Sequence, residues 1–201
     1  MTKEQKISYS EAIKTSFSWG LKNFPSILGA VILWALTCWI PYLNIGTTIA
    51  LATLPIEISK GKMISPTFIF DHKYRQFMGE FFLLNGLKIQ ATSIGYLLFI
   101  IPGIVISIAW SLSNFLLLDK GINPMEALSN SNKYTDGNKG AMFLSYFIIL
   151  LIIGIAALIL SLIPFVGFLL TIIVMLIASP VLISLQAYFY KVLVLDKEQI
   201  A

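Results

Sequence analysis

The sequence predicts an all-α integral membrane protein, with six transmembrane helices arranged as three Ile-Pro-tipped hairpins and short amphipathic cytoplasmic helices before them. Three observations support this fold class. The chain is 57% hydrophobic and 12% charged, which is about half the charged fraction of an average soluble domain. Three long stretches are almost free of charge. Each has an Ile-Pro dipeptide near its middle, at Ile40-Pro41, Ile101-Pro102 and Ile163-Pro164.

Each Ile-Pro dipeptide predicts a turn at the tip of a hairpin, because proline disfavours helix in the preceding residue and lacks the N–H that would continue one. A glycine follows each dipeptide, at Gly46, Gly103 and Gly167. The predicted spans are Phe24–Ile40, Leu43–Ile58, Phe77–Ile101, Gly103–Leu118, Met142–Ile163 and Phe165–Val192. The first uncharged stretch is short for two crossings of about 20 residues each. A re-entrant first hairpin is therefore the alternative.

Polar segments with helix-start signals precede the hairpins. Serine or asparagine suits the position before the first helical turn, and proline suits the first helical position. The three segments begin at Ser8, Ser65-Pro66 and Asn123-Pro124. In the first segment, apolar residues recur every three or four positions, at Ile13, Phe17, Leu21 and Phe24. This spacing predicts an amphipathic helix on the inner membrane surface.

The three hairpins resemble diverged repeats within a single membrane domain of residues 1–201. The repeat-like units cover approximately residues 8–60, 62–120 and 123–192. Similar residues of the first and third units recur at one offset of 115, at Glu11 and Glu126, Ser16 and Ser131, Trp19 and Tyr134, and Asn23 and Asn138. Such parallel repeats occur in some transporters. They also arise by duplication without a transport role, which is the simpler interpretation.

The basic residues lie on one side of the six-span arrangement. Thirteen of the fourteen Lys and Arg residues precede, separate or follow the hairpins, and Lys88 is the exception. The positive-inside rule places that side in the cytoplasm, together with both termini. The lipid bilayer, including its anionic lipids, is the expected partner, and no nucleic-acid-binding motif is visible. No signal peptide is evident, so we expect the first span to act as an uncleaved insertion signal.

Short motifs in the second half of the chain carry a family resemblance. They are Ile101-Pro102-Gly103-Ile104, Trp110-Ser111-Leu112-Ser113, Leu116-Leu117-Leu118-Asp119, Glu126-Ala127-Leu128, Ser131, Gly137-Asn138-Lys139-Gly140, and Pro180 with Ala187, Phe189 and Tyr190. This pattern resembles a poorly characterised bacterial six-span membrane family. That family is related to the membrane domain that precedes the catalytic domain in some glycerophosphodiester phosphodiesterases. The resemblance implies a multi-pass protein of the bacterial cytoplasmic membrane. It implies no activity, because the family has no agreed catalytic residues.

Polar residues in and near the third predicted span form the candidate ligand-binding site. Lys88 lies within the span close to Asn85 and Gln90, where an ionisable group costs about 3 kcal/mol or more. Glu80 lies on roughly the same helix face, and Glu57 ends the neighbouring hairpin. Together they could bind an anionic lipid or line an ion pathway. Alternatively, the long stem of Lys88 reaches the cytoplasmic surface and both carboxylates are interfacial.

Other residues give no sign of enzymatic chemistry. His72 is the only histidine and Cys38 the only cysteine, so we expect neither a metal site nor an internal disulfide. No nucleophile elbow, phosphate-binding loop or zinc-protease motif occurs, and no cofactor is expected. The run Gly137-Asn138-Lys139-Gly140 could cradle a phosphate, but it more simply predicts a turn before the fifth span.

We therefore expect a non-enzymatic protein of the cytoplasmic membrane that binds lipid or a membrane partner. That partner is either a second copy of the chain or another membrane protein. The alternative function is a small-solute or ion transporter or channel, which would use the polar residues of the third span.

Overall fold

The computed structural model describes residues 6–62, 65–163 and 166–200, and within these ranges the protein is all-α with no strand. Eight helices follow one another in these ranges. They are α1 (Tyr9–Lys22), α2 (Phe24–Thr37), α3 (Leu43–Ser59), α4 (Met78–Leu98), α5 (Ile100–Lys120), α6 (Pro124–Thr135), α7 (Lys139–Ser161) and α8 (Gly167–Gln199). Two 3-10 helices, Pro66–Phe70 and His72–Phe77, connect α3 to α4. The predicted all-α class is confirmed.

Three of the helices in the described ranges, α5, α7 and α8, are long and apolar enough to cross a membrane. A fourth crossing results if α1 and α2, which are bent by 74° at their junction, form one broken span. The 21-residue helix α4 has sufficient length, but Glu80 and Lys88 lower its apolarity. The apolar helix α3 is shorter. By length and composition, these three or four apolar helices indicate a multi-pass membrane protein.

The hairpin tips agree only partly with the predicted turns. The first tip lies at the predicted place, where residues 38–42 form the turn and Tyr42 adopts a φ of 71°. At the second tip, the chain turns at the extended residue Phe99, and α5 then begins at Ile100. The prediction of a turn at Ile101-Pro102 was wrong, because proline is tolerated within the first turn of a helix. At the third tip, Pro164 and Phe165 lie outside the described residues.

Helices α4 and α5 form a tightly packed antiparallel hairpin. A Cβ atom on Gly95 would lie only 2.9 Å from the Cα atom of Gly103, and the ring of Tyr96 covers Gly103. The Tyr96 hydroxyl also lies 3.3 Å from the Ser107 hydroxyl on the facing helix. Close approach at small residues is typical of membrane helix pairs, so the weakly apolar α4 is bound side by side to the apolar α5.

Each polar segment before a hairpin packs on the second helix of the preceding hairpin. The segment before α4 contacts α3, where the Arg75 side chain lies against Gly46. Helix α6 contacts α5, where the Ser131 hydroxyl donates to the Ala109 carbonyl at 2.7 Å. Helix α1 contacts α8 of the last hairpin, and Ile7 N–H donates to Asn138 Oδ1 at 2.7 Å. The three units therefore close into a ring, although their origin as repeats stays a prediction.

Helix α1 presents its small residues, together with Ile13 of its predicted apolar stripe, to the core of the protein. Ala12, Ser16 and Gly20 are buried, whereas Phe17 and Leu21 of the predicted stripe are exposed. A Cβ atom on Gly20 would lie 3.2 Å from the backbone of Pro180 in α8. The small face permits this close crossing and leaves the large apolar side chains facing outward. An outward apolar stripe remains suited to lipid contact.

The side chain of Ser131 satisfies backbone groups at a break in α5. The helix is interrupted by a turn at residues 110–112. There the Ser131 hydroxyl accepts a hydrogen bond from Leu112 N–H at 3.2 Å while it donates to the Ala109 carbonyl. Buried irregular backbone is tolerated at membrane depth only when its polar groups find partners in the protein. Ser131, one of the residues of the family pattern, provides both partners here.

Candidate functional site

The C-terminal ends of α3, α5 and α8 converge on the side of the protein where most basic residues lie. We refer to these ends, together with α1 and α6, as the base layer. Lys60 directly follows α3, Asp119 is the penultimate residue of α5, and Tyr190 lies in the second half of α8. Tyr190 and Phe189 have no exposed surface, so apolar packing fixes the position at which the polar groups meet.

Asp119 joins the three helix ends. One carboxylate oxygen forms an ion pair with the Lys60 ammonium group, and the other accepts a hydrogen bond from the Tyr190 hydroxyl at 2.6 Å. The Asp119 side chain is 14% exposed, so these two donors replace most of its contact with water. A carboxylate that is largely removed from water needs such charged and hydrogen-bonding partners. Asp119 therefore has a clear structural role in closing the base layer.

A basic cavity of about 820 Å³ opens beside this junction. Four lysines and two carboxylates contribute to its wall. The lining residues are Trp19, Lys22, Asn23, Ile58, Ser59, Lys60, Gly61, Lys62, Lys191, Leu195, Asp196, Glu198 and Gln199. A cavity of this size suits a small ligand or a lipid headgroup. Its excess of lysines over carboxylates favours an anion.

The lysines of the basic cavity differ in their partners. Lys60 and Lys62 form ion pairs with Asp119 and Glu57. Among the described residues, no carboxylate oxygen lies within 4.0 Å of the ammonium nitrogen of Lys22 or Lys191. These two lysines are the ones available to an added anion.

Local helix geometry brings Lys191 to the basic cavity. The residue begins a π-helical turn, Lys191–Leu195, near the end of α8. Such turns widen the helix and are frequent at functional sites. The Lys191 ammonium nitrogen lies 5.6 Å from the centre of the Trp19 ring, a distance at which a cation is attracted to the ring face. Trp19 thus positions Lys191 without neutralising its charge.

One of the two cavity carboxylates is already engaged. Glu198 forms an ion pair with Lys120 and accepts a hydrogen bond from the Tyr134 hydroxyl at 2.9 Å. Burial, followed by the hydrogen bond to Glu198, raises the pKa of Tyr134 to about 12. Tyr134 therefore stays a hydrogen-bond donor at neutral pH, and Glu198 cancels little of the cavity's positive charge.

The structure separates the five residues predicted as a ligand-binding site. Asn85 receives a hydrogen bond from Asn114 at 3.3 Å, whereas Gln90 is exposed along a groove between α4, α5 and α6. Lys88 is half-buried, and no described carboxylate lies within the 4.0 Å ion-pair limit of its ammonium group. Glu80 is exposed, and Glu57 lies against Lys62 in the base layer at 3.2 Å. The ligand-binding role of this set stays a prediction.

Sequence reasoning missed the residues of the basic cavity. In the sequence, Lys22, Lys60 and Lys191 stand out only as part of the general charge asymmetry, since they are distant along the chain. A usable signal was present in the family pattern, because Asp119 and Tyr190 both belong to it and meet in the structure. The predicted turn before the fifth span is confirmed by Gly137, which has a φ of 75°.

The predicted absence of a metal site receives no direct test. His72 is exposed. Among the described residues, no group of three or more His, Cys, Asp and Glu side chains could hold a metal ion.

Comparisons with protein-family models, curated proteins and solved structures give no match. The resemblance to the bacterial six-span family therefore stays a prediction.

Proposed function

We propose that this chain is a non-enzymatic, multi-pass protein of the bacterial cytoplasmic membrane that binds anionic lipid headgroups in the basic cavity. The observation that supports this proposal most directly is the presence of Lys22 and Lys191 in a cavity of about 820 Å³, each without a carboxylate partner in the described part of the chain. A lipid phosphate would supply the missing negative charge.

The position of the cavity fits the proposed orientation. Its lysines belong to the thirteen Lys and Arg residues that the positive-inside rule assigns to the cytoplasm. The cytoplasmic leaflet contains anionic lipids, and each lysine near that surface contributes about 1 kcal/mol to attraction. Trp19 adds an indole ring at the cavity wall, which is the side chain favoured at the membrane–water boundary. In this topology α4 and α5 cross as one hairpin, and α7 and α8 as another.

The test compares lipid binding by a double variant, Lys22→Ala with Lys191→Ala, with binding by the unchanged protein. Two lysine contacts of about 1 kcal/mol each predict about 30-fold weaker binding of phosphatidylglycerol. Native mass spectrometry of protein released from nanodiscs of phosphatidylglycerol and phosphatidylcholine would measure the retained lipid. Titration with inorganic phosphate would separate a soluble anion from a lipid.

The matched control removes two exposed lysines outside the cavity, Lys14→Ala with Lys133→Ala. It changes the net charge by the same amount, so a general charge effect would weaken both double variants equally. Equal retention of phosphatidylglycerol by all three proteins would contradict the proposal. It would direct attention to a protein partner or a second copy of the chain, whose presence the same spectra would reveal.

The transport alternative has weaker geometric support. It would need Lys88 to act with the carboxylates of Glu57 or Glu80, and no described ion pair links them. One feature still favours a polar role for α4 and α5: the buried Asn114 Oδ1 lacks a hydrogen-bond donor in the described part of the chain. A cation or polar solute passing between these helices could use that oxygen.

A further inference from the structure

Helix α3 of the first hairpin is held at both ends by the residues that begin and end the α4–α5 hairpin. At its start, the guanidinium carbon of Arg75 lies 5.4 Å from the centre of the Tyr42 ring. Just after its end, Lys60 forms an ion pair with Asp119. Arg75 lies three residues before α4 begins and Asp119 one residue before α5 ends. Both ends of α3 therefore contact the open end of the α4–α5 hairpin.

The closed end of the α4–α5 hairpin is far from these contacts. Helix α4 runs for 21 residues from Met78 to Leu98, which is about 30 Å at 1.5 Å per residue. A spanning first hairpin would bring its tip close to the tip at Phe99, on the other side of the membrane. The observed tip at Tyr42 instead touches Arg75, which precedes α4. Helix α3 thus lies across the base layer rather than beside α4 and α5.

The length of α2 agrees with this placement. Helix α2 has 14 residues and is about 21 Å long, whereas the hydrocarbon core of a bilayer is about 30 Å thick. The 74° bend between α1 and α2 further separates α2 from any continuous span. Helices α2 and α3 nevertheless form a true hairpin, because the Trp34 indole N–H of α2 donates to the Thr48 hydroxyl of α3 at 2.9 Å.

The outer face of the first hairpin is apolar and largely exposed, although the Tyr42 ring also contacts Arg75. Leu36, Trp39 and Tyr42 are 62%, 75% and 65% exposed. The Trp39 indole N–H is already bound to the Leu36 carbonyl at 2.7 Å, so burial of this side chain in lipid would leave no donor unsatisfied. Aromatic side chains beside an arginine match the headgroup boundary of a bilayer.

We infer that the first hairpin is re-entrant, and that it enters only the cytoplasmic leaflet and returns to the base layer. Its partner is the lipid of that leaflet, which covers the face formed by Leu36, Trp39 and Tyr42. The hairpin then anchors the base layer to one leaflet, while α4–α5 and α7–α8 cross the membrane. This inference uses the proposed crossing of α4–α5 as its reference but is independent of lipid binding in the basic cavity.

The test measures from which side the hairpin tip reacts with a membrane-impermeant maleimide. Cys38 is the only cysteine of the chain, so Cys38→Ser gives a background without thiols. Trp39→Cys then places one thiol at the first tip. Right-side-out and inside-out membrane vesicles are labelled separately, and detergent-solubilised protein gives the full extent of reaction. We expect at least tenfold less labelling of the right-side-out vesicles than of the solubilised protein.

Phe99→Cys in the same background is the matched control. Phe99 is 73% exposed at the second tip, and this substitution, like Trp39→Cys, replaces an aromatic residue with cysteine. It should be labelled in right-side-out vesicles. Labelling of Trp39→Cys in those vesicles to the same extent as Phe99→Cys would overturn the inference. Labelling only in inside-out vesicles, or only after solubilisation, would support it. Failure of the Phe99→Cys protein alone to react from outside would instead contradict the proposed crossing of α4–α5.

Discussion

At the residue scale, Asp119 and Tyr190 link α5 to α8. The Asp119 carboxylate accepts a hydrogen bond from the Tyr190 hydroxyl at 2.6 Å and forms an ion pair with Lys60. The Tyr190 ring, which has no exposed surface, packs edge-on against Phe115 with ring centres 5.8 Å apart. One buried side chain thus combines apolar packing with a hydrogen bond that satisfies one carboxylate oxygen.

Tyr190→Phe keeps the packing and removes only the donor, which leaves one Asp119 oxygen unsatisfied. We expect the free energy of unfolding to fall by about 1–3 kcal/mol, measured as a lower melting temperature in detergent. Tyr9→Phe is the control, because Tyr9 is exposed and has no such hydrogen bond in the described structure. Identical melting temperatures for the two variants would show that the Tyr190 hydroxyl contributes nothing measurable.

Single residues were the part of the site that the sequence predicted least well. A lysine such as Lys88 stands out because it interrupts an apolar run, so its cost in a membrane is visible from the sequence. Lys22, Lys60 and Lys191 sit in polar segments where lysines are common. Only the packing of α1, α3 and α8 brings them to one cavity, and no local pattern encodes that packing.

At the scale of helices, the apolar runs predicted the existence of elements better than their ends. The predicted spans Gly103–Leu118 and Met142–Ile163 lie almost wholly within α5 and α7. The predicted Phe24–Ile40 is realised as the shorter α2. An uncharged stretch indicates lipid contact, but its direction through the bilayer depends on what its ends touch. The contacts of Arg75 with Tyr42 and of Lys60 with Asp119 join residues that are distant along the chain. The sequence alone therefore left both a spanning and a re-entrant first hairpin open.

Two of the three glycines of α4, Gly86 and Gly95, test how closely its hairpin is packed. Gly95→Ala would place a Cβ atom 2.9 Å from the Gly103 backbone and should destabilise the protein by about 1–3 kcal/mol. Gly86→Ala meets nothing within 4 Å and should be neutral or slightly stabilising, because alanine favours helix more than glycine does. Thermal unfolding of both variants in one detergent measures the difference. Equal stability would mean that α4 and α5 separate easily.

At the scale of the whole molecule, the base layer closes the chain from its first helix to its last. Gly20 of α1 crosses α8 at Pro180, and Ile7 binds Asn138 before α7. The offset of 115 between similar residues predicted related units. It did not predict that each unit would pack on the one before it, because a one-dimensional repeat contains no information about closure.

Gly20→Ile should push α1 away from α8 and open this ring. We expect faster amide hydrogen exchange in α1 and in the second half of α8, with little change in the α4–α5 hairpin. Gly154→Ile is the matched control, since a Cβ atom there would meet nothing within 4 Å. Mass-spectrometric exchange of both variants gives the comparison. A uniform increase throughout the Gly20→Ile protein would indicate global destabilisation instead of local opening.

The crossing of Gly20 and Pro180 also has a consequence for synthesis of the protein. A ribosome adds about 5–20 residues per second, so α8 emerges roughly 10–30 s after α1. During that interval the small face of α1, formed by Ala12, Ser16 and Gly20, has no α8 to bind. The bilayer surface or an insertion factor must shelter α1 until α8 has been synthesised. Premature termination before Pro180 would therefore leave α1 without its partner helix.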